Sequence, residues 1–283
     1  METLLKEKPQ IAAAPRGIAL RTFGRQHGPI TRLVSPSEIG EAIKPFVFLD
    51  RGEVRYSGRP LFGIHPHSGI ATLTVVLDGQ MAYEDTTGKK GEIAAGGLEW
   101  MKAGRGVWHD GGALPGAPLR VFQLWIALGA DQELAPAESH YIARERVQQE
   151  GPVRVVLGEY GRARSVIPAP RGINYFHVRL KAGERWNYAA PAGHTVAWLA
   201  VDKGALRAPE AVGTGELVIF EPSDAAIELE ATEDASFVFG SAVKHPYPLV
   251  LGYYSVHTSA EALERGETEI ARIGEQLRKQ GRL

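Results

Sequence analysis

Two histidines one residue apart, His65 and His67, open the stretch GIHPHSGIATLTVVLDG (63–79), and a third, His109, closes the phrase WMKAGRGVWH (100–109). In an extended strand residues i and i+2 point to one face, so His65 and His67 present both imidazoles to one side while Pro66 points away. A lone His-x-His also describes polar residues at the mouth of a strand. A third imidazole on a facing strand changes the reading, because neutral imidazoles converging on one point suit a mononuclear Fe, Ni, Cu or Zn site. The chain has no cysteine, so any metal must be held by nitrogen and oxygen.

A catalytic acid or base is less evident. Asp110 is the carboxylate nearest in sequence to the third histidine and is the candidate catalytic residue. On a regular strand it faces away from His109, and it reaches a metal only if the chain bulges at Gly111-Gly112. Trp108 likewise faces away and reads as packing. His27, His140, His177, His245 and His257 lack companions in sequence and read as surface or satisfied core histidines.

The elements that must position these residues are strands. Short runs rich in Val, Ile, Leu, Thr and aromatics recur between dispersed glycines and prolines: 70–77, 80–85, 119–128, 173–180, 194–201, 216–221 and 235–240. That spacing predicts an all-β fold of the sandwich or barrel type, and Asp78-Gly79 and the TTGKKG segment predict hairpins. A few short peripheral helices are expected near the C-terminus, the clearest where Thr258 and Glu261 form a capping-box pattern and Ile270, Ile273 and Leu277 share a face.

The two halves echo one another. VLDG (76–79) is answered by AVDKG (200–204), and GLEWMKAG (97–104) by GELVIFEPSD (215–224), as two tandem copies of one β module would require. The charged stretch 135–151 reads as a linker, which divides the chain into modules 1–150 and 151–283. In the second copy NYAAPAG (187–193) stands where the first has HPH, and His194 arrives alone. The C-terminal module is therefore expected to be degenerate and without metal.

With 283 residues, 44% hydrophobic and 23% charged, the chain has the composition of an ordinary globular protein. Its 32 basic and 33 acidic residues give a net charge of -1, so no long-range field favours nucleic acid or an anionic membrane. The N-terminal METLLKEKPQIAAAPRG offers no apolar block for a signal peptide, and no later run suits a membrane span. A cytoplasmic location is expected, although a chain without cysteine would suit the periplasm as well.

HPHSG (65–69), GLEWMKAGRGVWH (97–109), FVFLDRG (46–52), FQLWIAL (122–128) and, more weakly, YPLVLGYYSVHTSAEAL (247–263) resemble the pirin family, a branch of the cupin superfamily. The resemblance implies two tandem cupin-type β-barrel domains with one metal, usually iron, in the N-terminal barrel only. Its three histidine ligands fall on His65, His67 and His109. Its fourth ligand, a glutamate two positions after the last histidine, falls on Gly111, and the general cupin glutamate falls on Ala71. Phe46, Phe48, Gln123 and Trp125 lie on strands that the resemblance places near the pocket, but read first as core packing.

Three neutral ligands leave the full charge on the metal, which favours anions or enolates at its open positions. The expected cofactor is one transition metal ion, Fe(II) first, with Ni, Zn, Mn or Cu as alternatives. The resemblance implies, as the expected activity, a dioxygenase of the quercetinase kind, with a small aromatic or anionic ligand at the metal. The alternatives are a metal- or redox-responsive regulator that binds a protein partner, and an apo bicupin holding an unrelated small ligand.

Overall fold

The computed structural model describes residues 16–58 and 63–283; residues 1–15, read above for a targeting signal, lie outside it. The described chain is built from four principal sheets, arranged as two sandwiches that share a central core. In the first half, a seven-stranded sheet contains Phe46–Val54, Leu119–Ala127, Ile70–Asp78 and Leu98–Lys102 as neighbours. A four-stranded sheet runs in the order His65–His67, Val107–Ala113, Gln80–Asp85, Lys90–Ala94. The second half repeats the plan with another seven-stranded and another four-stranded sheet.

The echo in sequence is an echo in topology. Leu98–Lys102 lies beside Ile70–Asp78 in one large sheet, and Leu217–Phe220 lies beside Val196–Lys203 in the other. The turn pairs mark corners as well as hairpins. TTGKKG closes a hairpin in which Glu84 faces Lys90. Asp78-Gly79 does not: it hands the chain from the large sheet to the small one, with Gly79 at φ +71. A left-handed residue redirects a strand at little steric cost only when it lacks a Cβ.

Alternation along the strands explains the layers. Ala71, Leu73, Val75 and Leu77 join a core cluster with Trp100, Phe122, Tyr175, Trp198 and Val238, residues drawn from both halves. The intervening residues Thr72 and Thr74 face the interior of the first sandwich, as does Glu99 between Leu98 and Trp100. The second sandwich is filled by aromatic side chains, among them Phe176, Trp186, Tyr188, Phe237 and Phe239. The interior of the first holds the histidines and a cavity instead.

The halves are also stitched at their ends. Ile18–Thr22, from the N-terminus, forms the edge of the second large sheet by pairing with Leu217–Phe220. Within the stretch read as a linker, Glu138–Ile142 forms the corresponding edge of the first large sheet, paired with Leu98–Lys102.

The helix expected near the C-terminus spans Ala260–Lys279 and returns to the first half, burying Ala262, Gly266, Ile270, Gly274 and Leu277. Its cap is Ser259, whose side chain accepts from Ala262 N, rather than Thr258, which is engaged by Glu133. A five-residue helix, Ile39–Ile43, lies earlier. Among the described residues no helix is long and apolar enough to cross a membrane.

Trp198 is fully buried at the seam, edge-on to Phe46 at 5.4 Å between centroids and tilted against Tyr175 at 5.8 Å. Trp198→Ala should therefore lower the stability of the whole molecule by about 3–5 kcal/mol. Urea unfolding followed by both near- and far-ultraviolet circular dichroism checks this, and the two probes should shift together.

Candidate metal centre

The antiparallel register of two strands assembles the three histidines. His67 pairs with Val107, Pro66 with Trp108, and His65 with His109. His65 and His109 are thus directly opposite on one face, and the strand period brings His67 to the same side. One ring nitrogen from each lies within 4.8 Å of the others, and His65 Nε2 and His109 Nε2 are 3.0 Å apart.

The other ring nitrogens are occupied, which aims the ligating ones. His65 Nδ1 donates to the carbonyl of Gly63 at 2.9 Å, and His67 Nδ1 donates to the carbonyl of Tyr254 at 3.0 Å. With Nδ1 as donor, Nε2 carries the lone pair. His67 Nε2 is buried and has no hydrogen-bond partner. A buried polar atom left without a partner is costly, and a cation held among three imidazole lone pairs removes that cost. The residues present therefore fit a transition metal ion.

Burial also keeps the rings of His65 and His67 neutral. Desolvation, reinforced by the nearby His109, lowers the His65 pKa to about 4 and takes His67 well below its ordinary value. A neutral imidazole is the form that binds metal.

A carboxylate does stand at the site, but it comes from a third strand. Glu99 is buried, with Oε1 3.5 Å from His109 Nδ1 and Oε2 accepting from Thr74 Oγ1 at 2.7 Å. Thr74 is its cross-strand partner. The order Thr74, Glu99, His109 places an outer carboxylate beside a ligating histidine, close enough for its charge to raise ligand basicity. Sequence reasoning passed over Glu99 because it looked beside the histidines in the chain. The signal was the alternation in GLEWMKAG, where a glutamate between Leu98 and Trp100 must face the opposite side from those two core residues.

Asp110 is not brought to the histidines. It sits opposite Glu84, its Oδ1 accepts from Gly111 N, and it lines a separate cleft with Tyr56, Lys90 and Glu92. No bulge forms at His109: the pairing runs without a break from His109 to Ala113. Ala71 lies in the shared core, so a carboxylate there would face away from the centre. Gly111 does line the cavity beside His109, and a Cβ at that position would lie 3.2 Å from the carbonyl of Ala82.

That cavity measures about 100 Å³ and is walled by His65, His109, Glu99, Thr74, Asp50 and Gln123 together with apolar side chains. Asp50 is held by Arg32, whose guanidinium lies 3.9 Å from the centroid of Phe48; burial nevertheless raises the Asp50 pKa. Phe48 stacks on Trp125 at 4.0 Å, and Trp125 meets His67 edge-on at 4.8 Å. Phe46 packs in the shared core instead. Trp108 turns outward and donates to the Ile270 carbonyl at 2.8 Å.

Outside the centre, His140 Nε2, His177 Nδ1 and His245 Nε2 are buried without a hydrogen-bond partner, while other ring nitrogens meet hydroxyls. His194 Nδ1 lies 3.1 Å from Ser241 Oγ, and His177 Nε2 lies 2.9 Å from Ser236 Oγ. The only cluster of metal-binding type found among the described residues is that of His65, His67 and His109.

Two measurements check this geometry. Glu99→Gln should weaken binding of a divalent transition metal by about 10–100-fold, measured by competition with a chelator. The metal-free protein should also lose stability as pH falls. His65, His67 and His177 have folded pKa values below the unfolded value of 6.5, so below it the unfolded chain takes up protons first. Each should contribute a loss of up to about 1.4 kcal/mol per pH unit below pH 6.5, seen in urea midpoints between pH 7 and 5.

Comparison with known proteins agrees with this centre and fold. The family model for pirin matches residues 29–126. A Pseudomonas aeruginosa protein named "Putative quercetin 2,3-dioxygenase" is 31% identical over 239 residues, covering 77% of this chain and 82% of that one. A pirin-like protein of Caulobacter vibrioides is 30% identical over 219 residues, covering 73% and 78%. The crystal structure of a quercetin 2,3-dioxygenase from Acinetobacter baumannii shares the fold, with a TM-score of 0.83 at 22% identity over 92% of this chain and 98% of that one. With its β-sandwich pair, its three-histidine centre and these relatives, the chain belongs to the pirin family.

Proposed function

We propose that the protein is a metal-dependent dioxygenase of the quercetinase kind, acting on an enolisable substrate bound beside His65 and His109. The observation that carries this reading is the buried Glu99 carboxylate facing the same cavity as two of the three histidines. The names of the Pseudomonas and Acinetobacter proteins support it. Fe(II) is the first candidate for the metal, followed by Ni, Zn, Mn or Cu. When bound, the ion would act as a Lewis acid and template for substrate oxygen and dioxygen.

The chain supplies the remaining requirements. Thr74 fixes one Glu99 oxygen, and the other, 3.5 Å from His109 Nδ1 in the cavity wall the two residues share, is the group that would take the proton of an enolic hydroxyl. The role assigned from sequence to Asp110 thus passes to Glu99. Apolar walls formed by Ile30, Met81, Leu119 and Val121 exclude water around the resulting anion. A volume of about 100 Å³ is well below the roughly 300 Å³ at which drug-sized pockets begin. A compact enolisable compound, or only the enolic edge of a larger aromatic, fits the described walls.

A second reading is a metal-responsive binding protein. It is favoured by large apolar side chains exposed along one C-terminal stretch, Tyr247, Leu251, Tyr253 and Tyr254, the last two forming a hairpin tip beside the histidines.

Elemental analysis should find close to one transition metal per chain in the wild type and little in His65→Ala and His109→Ala; equal, near-zero metal in all three sinks the centre. At saturating iron, oxygen consumption over a panel of flavonols, catechols and smaller enolisable ketones separates the readings, since uniform silence favours the binding protein. In the active case Glu99→Gln should lower the rate by about 10²–10⁴-fold, while Asp110→Asn leaves it unchanged. Gly111→Glu should raise metal retention by adding an anionic ligand on the cavity face.

A further inference from the structure

The segment 250–279 lies after the second sandwich in the chain, yet it docks on the two strands that carry the metal-site histidines. Its hairpin pairs Val250–Gly252 with Ser255–His257 and turns at Tyr253-Tyr254. Tyr254 has φ +57, a left-handed conformation uncommon outside glycine and Asn. That conformation accompanies a specific contact, because the Tyr254 carbonyl accepts from His67 Nδ1 at 3.0 Å.

The next residues continue the attachment. Ser68, immediately after His67, has its hydroxyl 2.9 Å from Ser255 Oγ and 3.0 Å from His257 Nε2. His257 Nδ1 lies 2.9 Å from Glu133 Oε2, which also accepts from Thr258 N at 2.8 Å. Glu133 accepts from Nδ1 on one side of the ring, and Ser68 Oγ, which donates its proton to Ser255 Oγ, contacts Nε2 on the other. The order serine, histidine, glutamate is that of a hydrolytic triad. Ser68, His257 and Glu133 are, however, only 0%, 1% and 2% exposed, so no substrate reaches the hydroxyl. The relay is a buried strut.

The helix Ala260–Lys279 clamps both ligand strands from behind. A Cβ at Gly266 would lie 2.5 Å from His257 Nε2 and 2.6 Å from Ser68 Oγ, and one at Gly274 would lie 2.8 Å from Trp108 Cζ2. Trp108 is the neighbour of His109 and is itself bonded to the helix backbone at Ile270. Residues adjacent to His67 and to His109 are therefore both seated on one helix face.

We propose that Glu133, His257 and Ser68, with the Tyr254 carbonyl, are positioning groups of the metal centre, and that metal occupancy and docking of segment 250–279 stabilise one another. The proposal rests on the metal-centre reading above. The physical basis is linkage: a segment that holds His67 in its ligating tautomer raises metal affinity, and by the same free energy bound metal holds the segment down.

Co(II) added to the full-length protein tests it, since its visible absorption reports ligand geometry. In the wild type, amide hydrogen exchange across 250–279 should slow on Co(II) binding. Glu133→Gln and His257→Gln should each weaken Co(II) binding by about 10–100-fold and shift the absorption bands. Gly266→Ala, which displaces the helix without touching the relay's acid, should weaken binding as well. Variants that melt earlier without metal yet keep wild-type Co(II) affinity and spectrum would make the relay purely a folding element and overturn the proposal. So would unchanged exchange in the wild type. If the wild type takes up no Co(II), it is the metal centre that fails, and the proposal fails with it.

Discussion

The register between His65–His67 and Val107–Ala113 is the constraint on which the site depends. A slip of one residue would turn His109 away from His65 and place Trp108 inside the sandwich. Several features pin that register. Trp108 is hydrogen-bonded outward to the helix. Gln80–Asp85 pairs with the far side of the His109 strand without irregularity. Gly104, at φ +52, turns the chain between the large sheet and this strand. Three imidazoles converge because each strand has little freedom to move along its neighbour.

The two halves show one plan filled in two ways. In the second sandwich Trp186 and Tyr188 occupy the strand corresponding to the first half's HPH, and they pack on Phe237 and Phe239. Aromatic area fills that interior and stabilises it through burial. In the first, His67 and Glu99 are equally buried but contribute polar atoms that need partners. The stability forgone there is offset by the shared core between the large sheets, where Trp100, Phe122, Tyr175 and Trp198 meet. A hollow polar interior is sustained by a full apolar one behind it.

Much of this was legible in the sequence. The strands followed from turn chemistry and alternation, and the metal-binding residues followed from the i, i+2 spacing of His65 and His67 joined to one return strand. Glu99 was missed because attention stayed on residues adjacent to His109 in the chain, although parity along GLEWMKAG places it correctly. The roles of Glu133, Tyr254 and His257 could not be read, since their contacts span 124 to 189 positions and depend on how a C-terminal hairpin docks. His257, read from the sequence as a surface or satisfied core histidine, is buried, and its partners Glu133 and Ser68 come from two distant segments. Asp78-Gly79 illustrates a further limit: a left-handed turn is legible locally, whereas whether it closes a hairpin or turns a corner is decided by the sheets.

The 187-residue separation between His67 and the carbonyl that receives its Nδ1 proton has a consequence in time. During synthesis at about 5–20 residues per second, the first ligand pair emerges roughly ten to forty seconds before Tyr254 does. Through that interval the His67 ring lacks the carbonyl that fixes its tautomer. The acceptor that fixes the His67 tautomer in the finished fold is therefore supplied only when the end of the chain is made.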